Sequence, residues 1–222
     1  MIKVPITLWP TIENIDFILL AVVNNKLLIQ CLIHPGKVFR ELALPGNPVA
    51  GQLLKYPLIL ILMPPVFAYI GGTFFGWRLG ADTPLYLDNT SRIVVSFMYF
   101  LAIGFGFVST AFLSSWMAGT YGARTSLLVH MGLITVVCAP LALASVFHLY
   151  PDVFLNVLVL IPTIIWCMNL LYRGLPLVLD IPPERGMLMS SALVGWLLVA
   201  AVSLLGLSAI LWTHGIGAEV RI

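Results

Sequence analysis

Few residues in this chain could move a proton, and they sit where its apolar stretches break. Asp180 and Glu184, or His34 and Glu41, are the pairs that could divide acid and base roles, one group holding a proton that the other has lost. Both pairs lie in surface segments rich in turn formers, and no nucleophile stands with them, so they make a poor hydrolytic site. The stretch GTYGART (119–125) carries glycines and an arginine that could approach phosphate, but its plain reading is a turn between two apolar runs. HExxH, GxSxG, GxxxxGK[ST] and GxGxxG are all missing. Cys31, Cys138 and Cys167 are odd in number and have no CxxC spacing, which implies neither a disulfide framework nor a metal site. The pattern predicts no catalytic residue, no metal and no cofactor.

The densest polar cluster is YRGLPLVLDIPPERG (172–186), which puts Arg173, Asp180, Glu184 and Arg185 beside Gly174, Pro176, Pro182 and Pro183. What surrounds it is nearly all oil. Of 222 residues, 60% are hydrophobic and 9% charged, where a soluble domain carries roughly 25% charge. Most side chains must therefore be solvated by lipid. A net charge of +2, spread along the chain, offers no basic face to nucleic acid.

Five apolar runs are each long enough to cross a bilayer of about 30 Å as a helix: residues 56–77, 92–118, 126–150, 152–172 and 187–212. The third and fourth are joined by little more than Pro151 and Asp152, which makes them antiparallel neighbours. Residues 1–25 read as an interfacial or loosely ordered extension, because the apolar stretch within 15–25 is too short to span and lacks the flanks of a cleaved signal. Residues 26–55 alternate apolar positions with Lys37, Arg40 and Glu41 and break at Pro35-Gly36, a pattern for short amphipathic helices on the membrane surface. Residues 56–213 form the five-helix domain and 214–222 a short tail. The fold class is an all-α membrane protein.

Lysines and arginines mark the cytoplasmic flanks of membrane spans. With the N-terminus inside, Lys3, Lys26, Lys37, Arg40, Lys55, Arg124, Arg173 and Arg185 fall on the cytoplasmic side, against Arg78, Arg92 and Arg221 outside. The C-terminus is then periplasmic, and YRGLPLVLDIPPERG joins spans four and five on the cytoplasmic side. There Gly174 can end the fourth helix, and Pro183 followed by Glu184 can start the fifth.

Within the spans, no centre carries Asp, Glu, Lys or Arg, which weighs against an ion channel or coupled transporter. His130 and His148, near the two ends of span three, read as packing or interface residues. Pro64, Pro65, Pro140 and Pro162 should kink three spans and leave room for a lipid-sized crevice. Gly72 with Gly76, and Ala102 with Gly106, have the small-xxx-small spacing of close helix packing.

HPGKVFREL (34–42), IGGTFFGWRLG (70–80), HLYPDVF (148–154) and above all LLYRGLPLVLDIPPERGMLMSSAL (170–193) resemble, in order and spacing over residues 27–213, the bacterial branch of the Ypt-interacting-protein (Yip) family, the YohC-type inner membrane proteins. The resemblance implies a five-helix inner-membrane domain with a cytoplasmic N-terminus. Eukaryotic members of the family are membrane adaptors that engage Rab GTPases through a long polar N-terminal region, and they carry a DLYGP motif before the first span. This sequence has neither, so that role does not carry over. The expected function is a non-enzymatic adaptor or scaffold that organises membrane or recruits a partner. Its candidate docking or headgroup-binding residues are Lys37, Arg40, Arg173, Gly174, Pro176, Asp180, Pro182, Glu184 and Arg185. The alternative is lipid binding or movement through the proline-lined crevice. Expected partners are membrane phospholipids, another membrane or cytoplasmic protein, or a second copy of the chain.

Overall fold

The computed structural model describes residues 26–46, 48–78, 84–123, 126–213 and 220–221. The expected N-terminal extension, most of the C-terminal tail and Arg124 lie outside these residues. Three short helices come first: α1 (Lys26–Ile33), α2 (Pro35–Ala43) and α3 (Val49–Leu53). Pro35 opens α2, where its missing N–H leaves nothing unbonded.

Five long helices follow: α4 (Pro57–Phe74), α5 (Asn89–Ala118), α6 (Leu127–Ala144), α7 (Val153–Leu179) and α8 (Pro183–Thr213). A 3₁₀ turn, Ser145–Leu149, prolongs α6. Each of the five is long and apolar enough to cross a membrane, and each meets its own backbone hydrogen-bonding needs as a helix must in lipid. A two-residue ladder pairs β1 (Tyr86–Leu87) antiparallel with β2 (Val220–Arg221). The ladder ties the chain beyond α8 to the segment that enters α5.

α6 is the central helix. It packs on α4, α5 and α7 and on all three short helices, while α8 closes against α5 and α7. The bundle therefore has two unlike ends. One, the cap end, carries α1–α3, the α5–α6 connector and the α7–α8 turn; the other, the strand end, carries the ladder and the 3₁₀ turn. The amphipathic pattern of residues 26–55 does form short helices broken at Pro35. Their apolar faces, however, turn inward onto protein: Cys31, Val38, Phe39, Leu42 and Leu53 join one core with Leu133, Val136, Leu175 and Val178. Ile33 and Leu44 remain exposed along the outer edge of this cap.

Three expectations change. Gly174 does not end the fourth span; α7 runs on to Leu179. A glycine within a helix costs about 1 kcal/mol, but here its bare backbone admits the ring of Phe39. The stop is Asp180, in the left-handed region at φ 51, whose N–H donates to the Pro176 carbonyl. Only residues 180–182 then separate α7 from α8, so most of YRGLPLVLDIPPERG is helix. Next, the helices continue through every proline, and Pro64, Pro65 and Pro140 are buried in the packed interior while Pro162 is exposed. Last, the small-residue pairs are not helix–helix contacts. A Cβ on Gly72 would meet the indole of Trp77, Gly76 lies beyond α4 at φ +67, Ala102 is half-buried, and a Cβ on Gly106 would meet nothing within 4 Å.

The cap of α5 carries a pH dependence. Hydrogen bonds from Ser91, then from Thr90, hold the Asp88 carboxyl below its ordinary range. With the folded value depressed, this contribution is present above the unfolded carboxylate range and is lost as pH falls through the folded value. Titrating stability downward through pH 4 should therefore show an acid limb that shrinks in Asp88→Asn, whose side chain caps the helix without titrating.

Candidate functional site

The sequence concentrates charge at the cap end, and the packing explains how that charge is held. Phe39 on α2 lies against Gly174 on α7: a Cβ on Gly174 would stand 2.6–2.8 Å from three atoms of the ring. One turn on, Gly186 of α8 faces Pro176, where a Cβ would sit 2.5 Å from the proline Cβ. Gly132 on α6 receives Leu42, Leu53 and Ala50 from the cap in the same way. Three glycines on three helices thus accept the apolar side of the cap and of the α7–α8 corner. Tyr172 and Ser191 join α7 to α8 by a hydroxyl pair at 2.9 Å.

The charged side chains stand outward from this frame. Lys37, Arg40 and Glu41 on α2, Lys55 before α4, Arg173 on α7, and Asp180, Glu184 and Arg185 at the corner are all exposed. Arg40 and Arg173 flank the Phe39–Gly174 contact in sequence, so the packing brings their backbones together. Arg185 also reaches across to the α5–α6 connector, donating to the Tyr121 carbonyl at 3.4 Å beside Gly122, which has φ +90. Residues 119–123 are accordingly a turn held by Arg185. Glu184 stands in the first turn of α8, where a negative charge favours the helix, and Pro182 is part of the corner. Of the nine candidate residues, Gly174, Pro176 and Asp180 build the frame, while Lys37, Arg40, Arg173 and Glu184 present charge.

Asp180 ends α7 through its main chain and Glu184 opens α8, and no three His, Cys, Asp or Glu side chains gather as metal ligands among the described residues. Cys31 is buried in the cap and its thiol is pushed up to about 12 by burial, so it is a packing group at neutral pH.

The neutral polar groups within the spans pair between helices. Ser114 and His130 meet at 2.8 Å, fully buried, and tie α5 to α6. Trp196 donates its indole N–H to Ser109 at 3.1 Å, tying α8 to α5. At the strand end His148 reaches Asn156 of α7 at 2.7 Å and Tyr99 of α5 at 3.2 Å. The histidines and the polar residues were visible in the spans, but which of them meet was not.

Residues 29–215 match the Yip1 domain family. The cap helices from Ile29 onward fall inside that match. The chain is also 29% identical, over 182 residues, to the inner membrane protein YohC of Escherichia coli strain K12, covering 82% of this chain and 93% of the relative. The YohC of Escherichia coli O6:H1 matches to the same extent. No solved structure matches. With five spans, a packed cap and a family match over nearly its whole length, this chain is a membrane protein of the Yip1 domain family.

Proposed function

We propose that this chain is a non-enzymatic adaptor or scaffold of the inner membrane, with its cap end in the cytoplasm and its strand end in the periplasm, and that Arg40, Arg173 and their neighbours form the surface that engages a partner. One observation carries the reading: the charges stand on helices locked together by the Phe39–Gly174 and Pro176–Gly186 contacts. A surface fixed in this way loses little conformational entropy on binding. The excess of Lys and Arg at this end supports the orientation, and the inner-membrane relatives support the location.

The test is charge reversal on the frame. Arg40→Glu with Arg173→Glu should leave insertion and thermal stability unchanged and remove a stoichiometric second polypeptide from particles extracted at native abundance and weighed by native mass spectrometry. Arg185 is left intact because it also holds Tyr121. A second polypeptide that survives the reversal, or none in the unaltered chain, sinks the docking role.

A further inference from the structure

Two arginines stand at the strand end, Arg78 and Arg92. Arg78, just past α4, has a fixed backbone: its N–H donates to the Pro151 carbonyl at 2.9 Å, and its carbonyl accepts from Val153 at 3.1 Å. Its guanidinium carbon lies 5.1 Å from the centre of the Tyr150 ring. Arg92, in the first turns of α5, lies 5.9 Å from the centre of the Tyr69 ring. Its terminal nitrogen makes one long bond, 3.5 Å, to Asn89 Oδ1, which also accepts from the Tyr69 hydroxyl at 3.5 Å. In both arginines the Nε–H is sealed from solvent and meets no acceptor among the described residues.

The two described carboxylates beside them, Asp88 and Asp152, cap helices. Asp88, four residues before Arg92 and at the spacing that favours a helical ion pair, accepts instead from Thr90 and Ser91 to cap α5. Asp152, paired with Arg78 through the main chain, accepts from the Leu155 N–H to cap α7. A guanidinium has five N–H donors and no acceptor. Here, among the described residues, Arg92 makes one long bond, the Nε–H of each arginine meets no acceptor, and each guanidinium lies over a tyrosine ring. Both sit at the end of an apolar span.

A group that matches such donors is acceptor-only and bears oxygens that can take two parallel N–H bonds, which describes phosphate. We infer that Arg78 and Arg92 are phosphate-binding positions at the strand end, each taking phosphate oxygens on its outer guanidinium nitrogens while the tyrosine holds the plane. The phosphate could be the diester of a phospholipid in the adjoining leaflet or a soluble phosphate, and the two are separable.

The full chain is reconstituted in nanodiscs of phosphatidylcholine containing phosphatidylglycerol, and retained phosphatidylglycerol is counted by native mass spectrometry as detergent strips the lipid. Binding of inorganic phosphate to the delipidated protein is measured alongside by calorimetry. The Arg78→Gln/Arg92→Gln chain should hold phosphatidylglycerol about tenfold or more weakly, as loss of charged hydrogen bonds requires. If phosphatidylglycerol is unaffected but the affinity for inorganic phosphate falls by that factor, the site is real and its ligand is soluble. Arg78→Lys/Arg92→Lys keeps the charge without the fork, so an intermediate loss at unchanged thermal stability supports a geometric site. Equal retention and equal phosphate binding in all three chains overturn the inference. So does an equal loss in Lys55→Gln, an exposed charge at the opposite end that belongs to no candidate site, which would make the effect one of net charge.

Discussion

Replacing Gly174 with leucine will lift α2 from α7 and open Cys31 to alkylation. The contact leaves no room: even the first side-chain carbon would stand 2.6–2.8 Å from the Phe39 ring, which is itself fully buried. The ring can leave only by taking α2 with it, and Val38 and Leu42 are buried by the same docking. Losing a buried aromatic contact costs about 3–5 kcal/mol, enough to undock a helix held by three apolar side chains. Cys31 reports the event. With its thiol pushed up to about 12, roughly one molecule in ten thousand carries the reactive thiolate at pH 8; a released thiol near its ordinary value reacts on the order of a thousandfold faster. In a chain where Cys138 and Cys167 are alanine, Gly174→Leu should therefore label rapidly with iodoacetamide while the parent resists. Adding Phe39→Ala should restore part of the protection by making room for the leucine. Labelling that does not change would mean the cap is not held by this contact.

The elements that lipid alone dictates were legible in the sequence. Five apolar runs became five helices because a chain in hydrocarbon must bond its own backbone, whatever its neighbours are. The start of α8 at Pro183-Glu184 was legible for a local reason as well, since Pro at the first position and an acid in the first turn suit a helix N-terminus without outside help. Gly174 shows where local reasoning ends. As a glycine followed by Leu and Pro it reads as a stop, but Phe39, over a hundred residues away, decides its conformation by filling the space where a Cβ would be. Gly76 shows the converse: it reads as a packing residue at small-xxx-small spacing, yet α4 has already ended and the chain needs a positive φ there. Spacing alone cannot separate a glycine that admits a neighbour from one that turns the backbone.

The cap raises the same difficulty at a larger scale. An amphipathic pattern says that one face is apolar, not whether that face meets lipid or protein. The short helices expected within residues 26–55 rest their apolar faces on α6 and α7, because Gly132 and Gly174 leave sockets that Leu42, Leu53 and Phe39 fill. The charged edge of the cap is thereby fixed relative to Arg173. The proposed docking surface thus rests on three glycines, only one of which, Gly174, was picked out in advance, and then with a docking or headgroup role and as a stop to the helix.

At the strand end, Gly71→Ala should be the most damaging single methyl added to the chain. The new Cβ would overlap the carbonyl oxygen of His148 and come within 2.7 Å of that of Leu149, and backbone cannot swing aside as a side chain can. α4 and the 3₁₀ turn must separate, and His148 carries the shift onward. Asn156 donates its amide hydrogens to the carbonyls of Tyr150 and Asp152. Its oxygen therefore faces His148 Nδ1, which must be the protonated nitrogen, leaving Nε2 to accept from the Tyr99 hydroxyl. One residue thus joins α4 through its main chain, and α5 and α7 through its ring. Overpacking of a filled interior costs about 1–3 kcal/mol, and two strained hydrogen bonds should add about 1 kcal/mol. Gly106→Ala is the control, since the same methyl on α5 meets nothing within 4 Å and gains up to about 1 kcal/mol of helix propensity. Thermal unfolding in the same detergent should separate them in opposite directions, Gly71→Ala downward by several degrees and Gly106→Ala level or upward. Equal losses would mean that the close approach at His148 does not govern how the four helices meet.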